Sequence, residues 1–356
     1  MRRGVDYNFW SGKRVFLTGH TGFKGSWLSL YLESMGSLVK GYALSPLTKP
    51  SLFKIADVSR GIESEIGDIR NLEKLANSVK SFKPDVVIHM AAQPLVRESY
   101  KTPVDTYATN IMGTVHVLEA ARYCDNIGSI VIITTDKCYE NKEWAWGYRE
   151  NEPMGGHDPY SSSKACAEFV TSAYQRSFYH TSSTANVASA RAGNVIGGGD
   201  WSHDRLLPDI LRAFGSNESV VIRSPKATRP WQHVLEPLSG YLILAESLYT
   251  EGSKFAEGWN FGPSDEDCRS VEWILDRMVC KWGKGASWKL DTNNLNPHEA
   301  NFLKLDCSKA RQTLKWQPKY NLDETLDLIV DWHLAYQNGE NMRDVCLKEI
   351  SRYKDK

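Results

Sequence analysis

Short apolar runs alternate with helical patterns along the first 135 residues. Arg14–Thr18 is an apolar run between Gly12 and Gly19, and helical spacing follows over 24–35 with Trp27, Leu28, Leu30 and Tyr31. The same reading predicts strands at 38–44, 85–89 and 129–134, with helices at 71–80 and 104–123 between them. Strands that are apolar on both faces and separated by helices imply a parallel sheet covered on both sides. The predicted fold class is α/β, a doubly wound parallel sheet.

Past residue 190 the rhythm loosens. Gly197-Gly198-Gly199 punctuates the chain, and short strands at 220–223 and 259–261 mix with helices at 234–249 and 271–282. The last predicted helix, about 322–337, opens on Asn321 and Glu324, the residue types of a reciprocal cap. Its apolar stripe of Leu322, Leu326, Ile329, Val330 and Leu334 is expected to face the core. The expected division is a dinucleotide-binding domain over 1–192 with a returning segment at about 231–262. Residues 193–230 and 263–356 then form a smaller, mixed α/β substrate lobe.

Composition narrows the function classes. The 356 residues carry 43 basic and 43 acidic side chains, so the formal charge is zero and no broad field for nucleic acid or an anionic membrane is expected. The longest apolar runs, such as 86–88 and 130–133, are far too short to span a bilayer. Seven cysteines without a CxxC pair read as reduced thiols, and no structural zinc or other metal site is expected. The opening Met1-Arg2-Arg3-Gly4-Val5-Asp6 lacks the apolar stretch of a secretory signal, so a cytoplasmic location is expected.

Chemistry enters at the turn after the first strand. Thr18-Gly19-His20-Thr21-Gly22-Phe23-Lys24-Gly25 has G-x-x-G-x-x-G spacing and opens the first long helix. Glycine lets the backbone turn tightly and brings a pyrophosphate to free N–H groups at a helix N-terminus. Gly19, Thr21, Gly22, Phe23, Lys24 and Gly25 are therefore candidate dinucleotide-binding residues. The end of the second strand, Gly41-Tyr42-Ala43-Leu44-Ser45-Pro46, offers neither a carboxylate for a ribose nor an arginine for a 2′-phosphate. NAD is preferred over NADP. Asp68 and Ile69 are candidates for the adenine, and Ala91 and Ala92 for the cofactor's flank; strand-end packing is the alternative for all four.

Tyr160 and Lys164 lie four apart on a helical pattern after Pro159, which puts both on one helical face. A lysine beside a phenol is expected to lower the phenol's pKa and make Tyr160 a base. Thr135 stands 25 residues upstream at a strand end. With these residues the chain resembles the extended short-chain dehydrogenase/reductase family, whose members work on nucleotide sugars. Five stretches extend the resemblance to the dehydratases of that family: TGHTGFKGSWL at 18–28, AAQPLVR at 91–97, TDKCYEN at 135–141, RAGNVIGGGDW at 191–201 and ATRPWQH at 227–233.

The resemblance implies a Rossmann domain, bound NAD regenerated in each turnover, and CDP-glucose as substrate. It implies Thr135, Asp136, Lys137, Tyr160 and Lys164 as catalytic residues and adds Asn110 to the cofactor contacts. Gln93, Asn194, Arg205, Arg229 and His298 fall in segments that line the nucleotide-sugar site in this family, where arginine forks match phosphate oxygens in pairs. A homodimer or homotetramer, built through the helices at 104–123 and 160–179, and a product used for surface polysaccharide are also implied.

Asp136-Lys137 separates the reactions open to such a site. A 4,6-dehydratase oxidises C4, eliminates water across C5–C6 and returns the hydride to C6. Elimination needs an acid for the C6 hydroxyl and a base for the C5 proton, and two adjacent titratable groups suit that pair of tasks. By resemblance Asp136 is the acid and Lys137 the base, although dTDP-glucose dehydratases place Glu at the latter position. A lysine serves as a base only when neutral, against an ordinary pKa of about 10.4. Between Lys137 and Pro159 runs a loop with Trp144, Trp146, Gly147, Tyr148 and Gly155-Gly156. It is expected to act as a flap over the sugar or to pack against the sheet edge or a partner subunit. The rival functions are a nucleotide-sugar 4-epimerase, which has no need of the Asp136-Lys137 pair, and an inactive dinucleotide-sensing regulator.

Overall fold

The computed structural model describes residues 3–179, 185–283, 285–291 and 302–356. Within them are strands β1 (Arg14–Thr18), β2 (Leu38–Ala43), β3 (Glu63–Ile66), β4 (Val86–His89), β5 (Ser129–Ile133), β6 (Asn186–Ala192), β7 (Asn194–Ile196), β8 (Val220–Ile222), β9 (Thr228–His233), β10 (Gly258–Phe261), β11 (Cys268–Ser270) and β12 (Trp288–Leu290). Seven of them form one sheet in the order β10-β6-β5-β4-β1-β2-β3. Every pairing in it is parallel. This is the doubly wound sheet that the alternation of runs predicts.

Period-two alternation sends each central strand into two cores. Val15, Leu17, Val86, Ile88, Val131 and Ile133 face one side, where helices Phe23–Ser34 and Leu235–Glu251 cover them. Phe16, Val87, Ile130 and Ile132 face the other, under helices Leu72–Phe82 and Gly113–Arg122. A third apolar cluster joins Ile196, Leu207, Ile210, Trp231, Ile274, Leu322, Leu326 and Ile329, beside the small sheets β11-β9-β7 and β12-β8.

The predicted helices form with shifted ends: Leu72–Phe82, Leu235–Glu251, Val271–Trp282 and Leu322–Gln337. The 104–123 pattern becomes Pro103–Tyr107, a wider turn at Ala108–Met112, and Gly113–Arg122. The cap of the 322–337 helix forms as read, with the Glu324 N–H donating to Asn321 and the Asn321 N–H donating to Glu324. Its stripe is buried except for Leu334, which is exposed.

Several elements escape the sequence reading, three of them instructive. β3 is a polar edge strand, Glu-Ser-Glu-Ile, with no apolar run to announce it. β6 is buried but made largely of small residues, Asn-Val-Ala-Ser-Ala-Arg-Ala. Helix Met342–Asp355 lies beyond the helix taken as the last; it buries Met342, Cys346, Ile350 and Tyr353 on one face. Trp201 and Trp231 are packing residues: Trp201 meets the rings of Trp332 and Tyr336, and the buried Trp231 donates to the Arg269 carbonyl.

Candidate active site

Sequence order runs outward from β1 to β2 and β3, then returns to β4 on its other side, so the strand order reverses between β1 and β4. Open α/β sheets bind ligands outside the carboxyl ends of the strands at such a point. The glycine turn stands there. Gly19 has a φ of +79°, and a Cβ on it would lie 2.7 Å from the Ala91 nitrogen after β4. A Cβ on Gly25 would lie 2.1 Å from the Gly19 carbonyl oxygen. Only glycine fits either position, and the result is a flat backbone cradle leading into helix Phe23–Ser34.

Side chains brace the cradle from behind. The Thr18 hydroxyl bonds His89 Nδ1 at 2.7 Å and accepts from the Met90 and Ala91 N–H groups, both at 3.1 Å. Burial holds His89 neutral, pushing its pKa down to about 3. Thr21 donates to the Leu44 carbonyl at 2.8 Å. His20 packs its ring over Gly41 and bonds the Ser64 hydroxyl at 2.7 Å. Asp68 is held by Arg70 at 2.7 Å, and that hydrogen bond keeps its carboxyl below the usual range. Ile69 is buried in the sheet core, against Gly113.

Asn110 is 1 % exposed and ties three segments together. Its amide donates to the Ser163 hydroxyl at 2.8 Å and to the Gln93 carbonyl, and its oxygen accepts from the Gln93 N–H. The Gln93 side chain is engaged with Leu95 and the Thr106 hydroxyl. Ala92 follows Ala91, half-buried at the rim.

The titratable groups gather at the end of β5. Thr135 caps a single turn, Asp136–Cys138, and its hydroxyl donates to Asp136 Oδ1 at 3.0 Å. Asp136 is 1 % exposed, and its Oδ2 has no hydrogen-bond partner among the described residues. Gly193 gives that oxygen room, since a Cβ there would stand 3.0 Å from it. Lys137 is half-buried. Helix Pro159–Tyr174 begins at an Asp158 cap with proline in its first turn, and it carries Tyr160 and Lys164 inward as the four-residue spacing requires.

The acid–base balance differs from the expectation. Burial pushes the Tyr160 phenol up to about 12, with the Thr135 hydrogen bond and the Arg205 cation pulling the other way. The Lys164 Nζ donates to the Ile133 carbonyl at 3.1 Å, and burial brings its pKa down to about 8. In the protein alone, therefore, burial dominates and the phenol keeps its proton at neutral pH. Burial also brings Lys24 down to about 7, helped by the Lys164 and Arg205 cations and opposed by Asp136.

Of the remaining candidates, Asn194 opens β7 next to Gly193 and is half-buried. Arg205 precedes helix Leu206–Gly215, 4.0 Å from Asp200, and its charge reaches both Tyr160 and Lys24. Arg229 lies nearly buried in β9 and donates to the Thr228 carbonyl. His298 lies outside the described residues. The loop after Lys137 packs on the chain at 302–306: the Tyr148 N–H donates to Lys304, the Asp306 N–H to Tyr148, and the Asn141 amide to Phe302. Tyr139, Tyr148 and Trp144 stack in series inside it at 5.3 and 5.2 Å.

One cluster was missed in the sequence. Glu168, one helical turn past Lys164, receives hydrogen bonds from Thr134, Ser189 and the Nε and Nη2 of Arg191. The signal was present: Tyr160, Lys164 and Glu168 share one helical face at successive intervals of four.

Known proteins match this arrangement. The family profile described as GDP-mannose 4,6 dehydratase covers residues 16–329. A CDP-glucose 4,6-dehydratase of Salmonella typhimurium is 61 % identical over 353 residues, 98 % of each chain. Among solved structures, the epimerase Mth375 of Methanothermobacter thermautotrophicus superposes with a TM-score of 0.79 at 21 % identity, covering 95 % of this chain and 96 % of that one. The dTDP-glucose 4,6-dehydratase of Bacillus anthracis in complex with NAD gives 0.75 at 20 % identity, covering 93 % and 100 %. These two likenesses establish the fold; the profile and the Salmonella relative establish the family. The chain belongs to the GDP-mannose 4,6-dehydratase family of extended short-chain dehydrogenase/reductases.

Proposed function

We propose that this protein is an NAD-dependent nucleotide-sugar 4,6-dehydratase that converts CDP-glucose to CDP-4-dehydro-6-deoxy-glucose. The observation that carries the proposal is the 61 % identity, end to end, with a CDP-glucose 4,6-dehydratase. Asp136 and Lys137 at the end of β5 are consistent with it, because a 4-epimerase has no elimination for them to perform.

The glycine cradle fits a dinucleotide: two of its positions exclude a Cβ, and its N–H groups open a twelve-residue helix. Gly19, Thr21, Gly22, Phe23, Lys24 and Gly25 would hold the pyrophosphate. Asp68 and Ile69 would meet the adenine side, Ala91, Ala92 and Asn110 the middle, and Tyr160 and Lys164 the nicotinamide ribose. NAD, when bound, supplies the acceptor for the C4 hydride and gives the same hydride back at C6. Tyr160, once its phenol has given up its own proton in the loaded site, would take the C4 hydroxyl proton. The C4 ketone acidifies C5, Lys137 removes that proton, and Asp136 protonates the departing C6 hydroxyl. The diphosphate and base would lie along Asn194, Arg205 and Arg229, with Gln93 and His298 completing the site.

In this reading residues 1–192 with 231–262 hold the cofactor, and 193–230 with 263–356 hold the nucleotide sugar. Exposed Val104, Tyr107, Met112 and Phe169 on the helices beside the site favour a homodimer or homotetramer. Seven cysteines without a disulfide favour a cytoplasmic location.

Incubation with CDP-glucose and NAD tests the reading. A 4-keto-6-deoxy product is expected, and CDP-galactose would indicate an epimerase instead. Parallel incubations with dTDP-, UDP- and GDP-glucose test the base, with turnover expected to be fastest for the cytidine substrate.

A further inference from the structure

Arg97, Asp204 and Arg223 meet beside the site, and the reaction proposed above gives none of them a task. They come from three separate segments. Asp204 and Arg205 precede helix Leu206–Gly215, Arg223 follows β8, and Arg97 stands in helix Val96–Lys101 after β4. The Arg205 cation acts on Tyr160 and Lys24, so this stretch of chain borders the reacting end. Its neighbour Asp204 is engaged elsewhere. The Asp204 carboxylate lies between Arg97 Nη1 at 3.5 Å and Arg223 Nη2 at 3.9 Å.

These groups are gathered without satisfying one another. Charge-assisted N–H···O bonds close to about 2.7–2.9 Å, and both contacts of Asp204 are longer. Arg223 Nη1 is buried and has no hydrogen-bond partner among the described residues. A buried N–H of this kind is costly unless a ligand brings the acceptor. Asp204 itself stays reachable, with 45 % of its side chain exposed. It is held at a φ of +57°, a left-handed position that few residues besides glycine, asparagine and aspartate adopt.

A diphosphate suits this group poorly, because a carboxylate at its centre repels phosphate oxygens. A guanidinium only donates and a carboxylate only accepts, so the pair matches an edge that accepts at one end and donates at the other. Cytosine carries such an edge: O2 and N3 accept, and the 4-amino group donates. We propose that Arg223 and Asp204 read the base of the substrate, Arg223 donating to cytosine O2 and N3 and Asp204 accepting from the 4-amino group. Arg97, on the other side of the carboxylate, is a positioning residue. Uracil and thymine would turn N3–H toward the guanidinium and O4 toward the carboxylate, two contacts between like groups. The choice of base rests on the CDP-glucose reading above, but binding of the nucleotide can be measured without the reaction.

The test titrates CMP, UMP and GMP into the full-length, NAD-loaded protein by calorimetry. Wild type is expected to bind CMP about ten- to hundredfold more tightly than UMP. Arg223→Met keeps the stem and loses the donors; it should weaken CMP by a similar factor and leave UMP within about threefold. Asp204→Asn suits the left-handed backbone and offers an amide N–H to O4, so the preference for CMP over UMP should shrink at least about tenfold. Equal weakening of CMP and UMP by Arg223→Met overturns the proposal, since the guanidinium would then be holding phosphate. So does a CMP/UMP ratio unmoved by Asp204→Asn, a wild type indifferent to the base, or GMP bound more tightly than CMP. Turnover of CDP-glucose is followed in parallel. No 4-keto-6-deoxy product, with the CMP preference intact and lost in both variants, would sink the reaction and leave the base reading standing. Product formed with a ratio insensitive to both variants would sink the base reading alone.

Discussion

Two buried carboxylates, Glu168 and Asp136, stand at the end of β5, bonded to the adjacent threonines 134 and 135, and they are treated in opposite ways. Glu168 has every oxygen engaged: Thr134 and the Arg191 Nε on one, Ser189 and the Arg191 Nη2 on the other. Burial pushes its pKa up, but the Arg191 cation and these donors outweigh it and leave it below the ordinary value. Asp136, equally dry, has one oxygen on Thr135 and the other without a partner among the described residues. A buried polar atom without a partner costs free energy, on the order of 1–3 kcal/mol, and folds retain such atoms where chemistry needs them. The satisfied carboxylate is a fastener, and the unsatisfied one is the acid of the proposed reaction. They are told apart by their partners, not by their burial.

That contrast can be broken most forcefully at the fastener. Glu168→Gln strands Arg191 in the interior, and removing one partner of a buried pair costs about 3–5 kcal/mol. Equilibrium urea unfolding should register that loss, with cofactor binding weakened as the Tyr160 helix loosens from β5 and β6. An unchanged midpoint would mean that the pair contributes nothing to the fold.

At the acid the expectation inverts. Asp136→Asn should leave the unfolding midpoint in place and lower turnover by about 10²–10⁴-fold. In a single turnover, reduced cofactor absorbance should appear and persist, because oxidation proceeds and water loss does not. Tyr160→Phe should remove that absorbance altogether while NAD still binds.

Lys24 sharpens the comparison through pH. Its pKa falls from 10.5 to about 7 in the folded chain. Between those values the unfolded chain binds a proton that the native protein gives up, so stability should rise as pH goes from 7 toward 10.5. Lys164, at about 8, adds to the rise over the upper part of that window. Lys24→Met should flatten the slope and raise stability at pH 7, as measured by unfolding of the ligand-free protein at successive pH values. The smallest effect is expected at the surface. Phe169→Glu, at a position 60 % exposed, should leave the monomer's fold intact and shift sedimentation toward smaller species.

Legibility followed the kind of signal each residue carries. The central sheet could be read because β1, β4 and β5 are apolar runs whose alternate residues enter two cores. β3 and β6 could not, because a polar edge and a strand of small residues lack that signature. Tyr160 and Lys164 were legible from spacing, and so was their common helical face. The direction of the phenol's pKa was not. Spacing says that a lysine is near, but only the fold shows its ammonium directed at the Ile133 carbonyl while burial dominates the tyrosine. Gln93 and Ile69 show the same limit: resemblance names one and position after a strand the other, and only the fold shows that the Gln93 side chain braces a loop and the Ile69 side chain enters the core. That Asp136 keeps one oxygen without a partner among the described residues is likewise a fact of the fold, which no string of letters records.

The order of the strands also sets a timetable for synthesis. β10 pairs with β6, yet 65 residues of chain separate the end of one from the start of the other. Helix Leu235–Glu251, which covers the face holding Val131 and Ile133, lies inside that interval. A ribosome that has released β1 through β6 has therefore produced a sheet whose β6 edge is unpaired and whose β5–β6 end is uncovered on one face. Val131 and Ile133 stay exposed until residue 251 emerges, and β6 keeps a bare edge until residue 261. Slow translation through 193–257 would lengthen this exposure, and the nascent chain is then most vulnerable to aggregation and most dependent on chaperones.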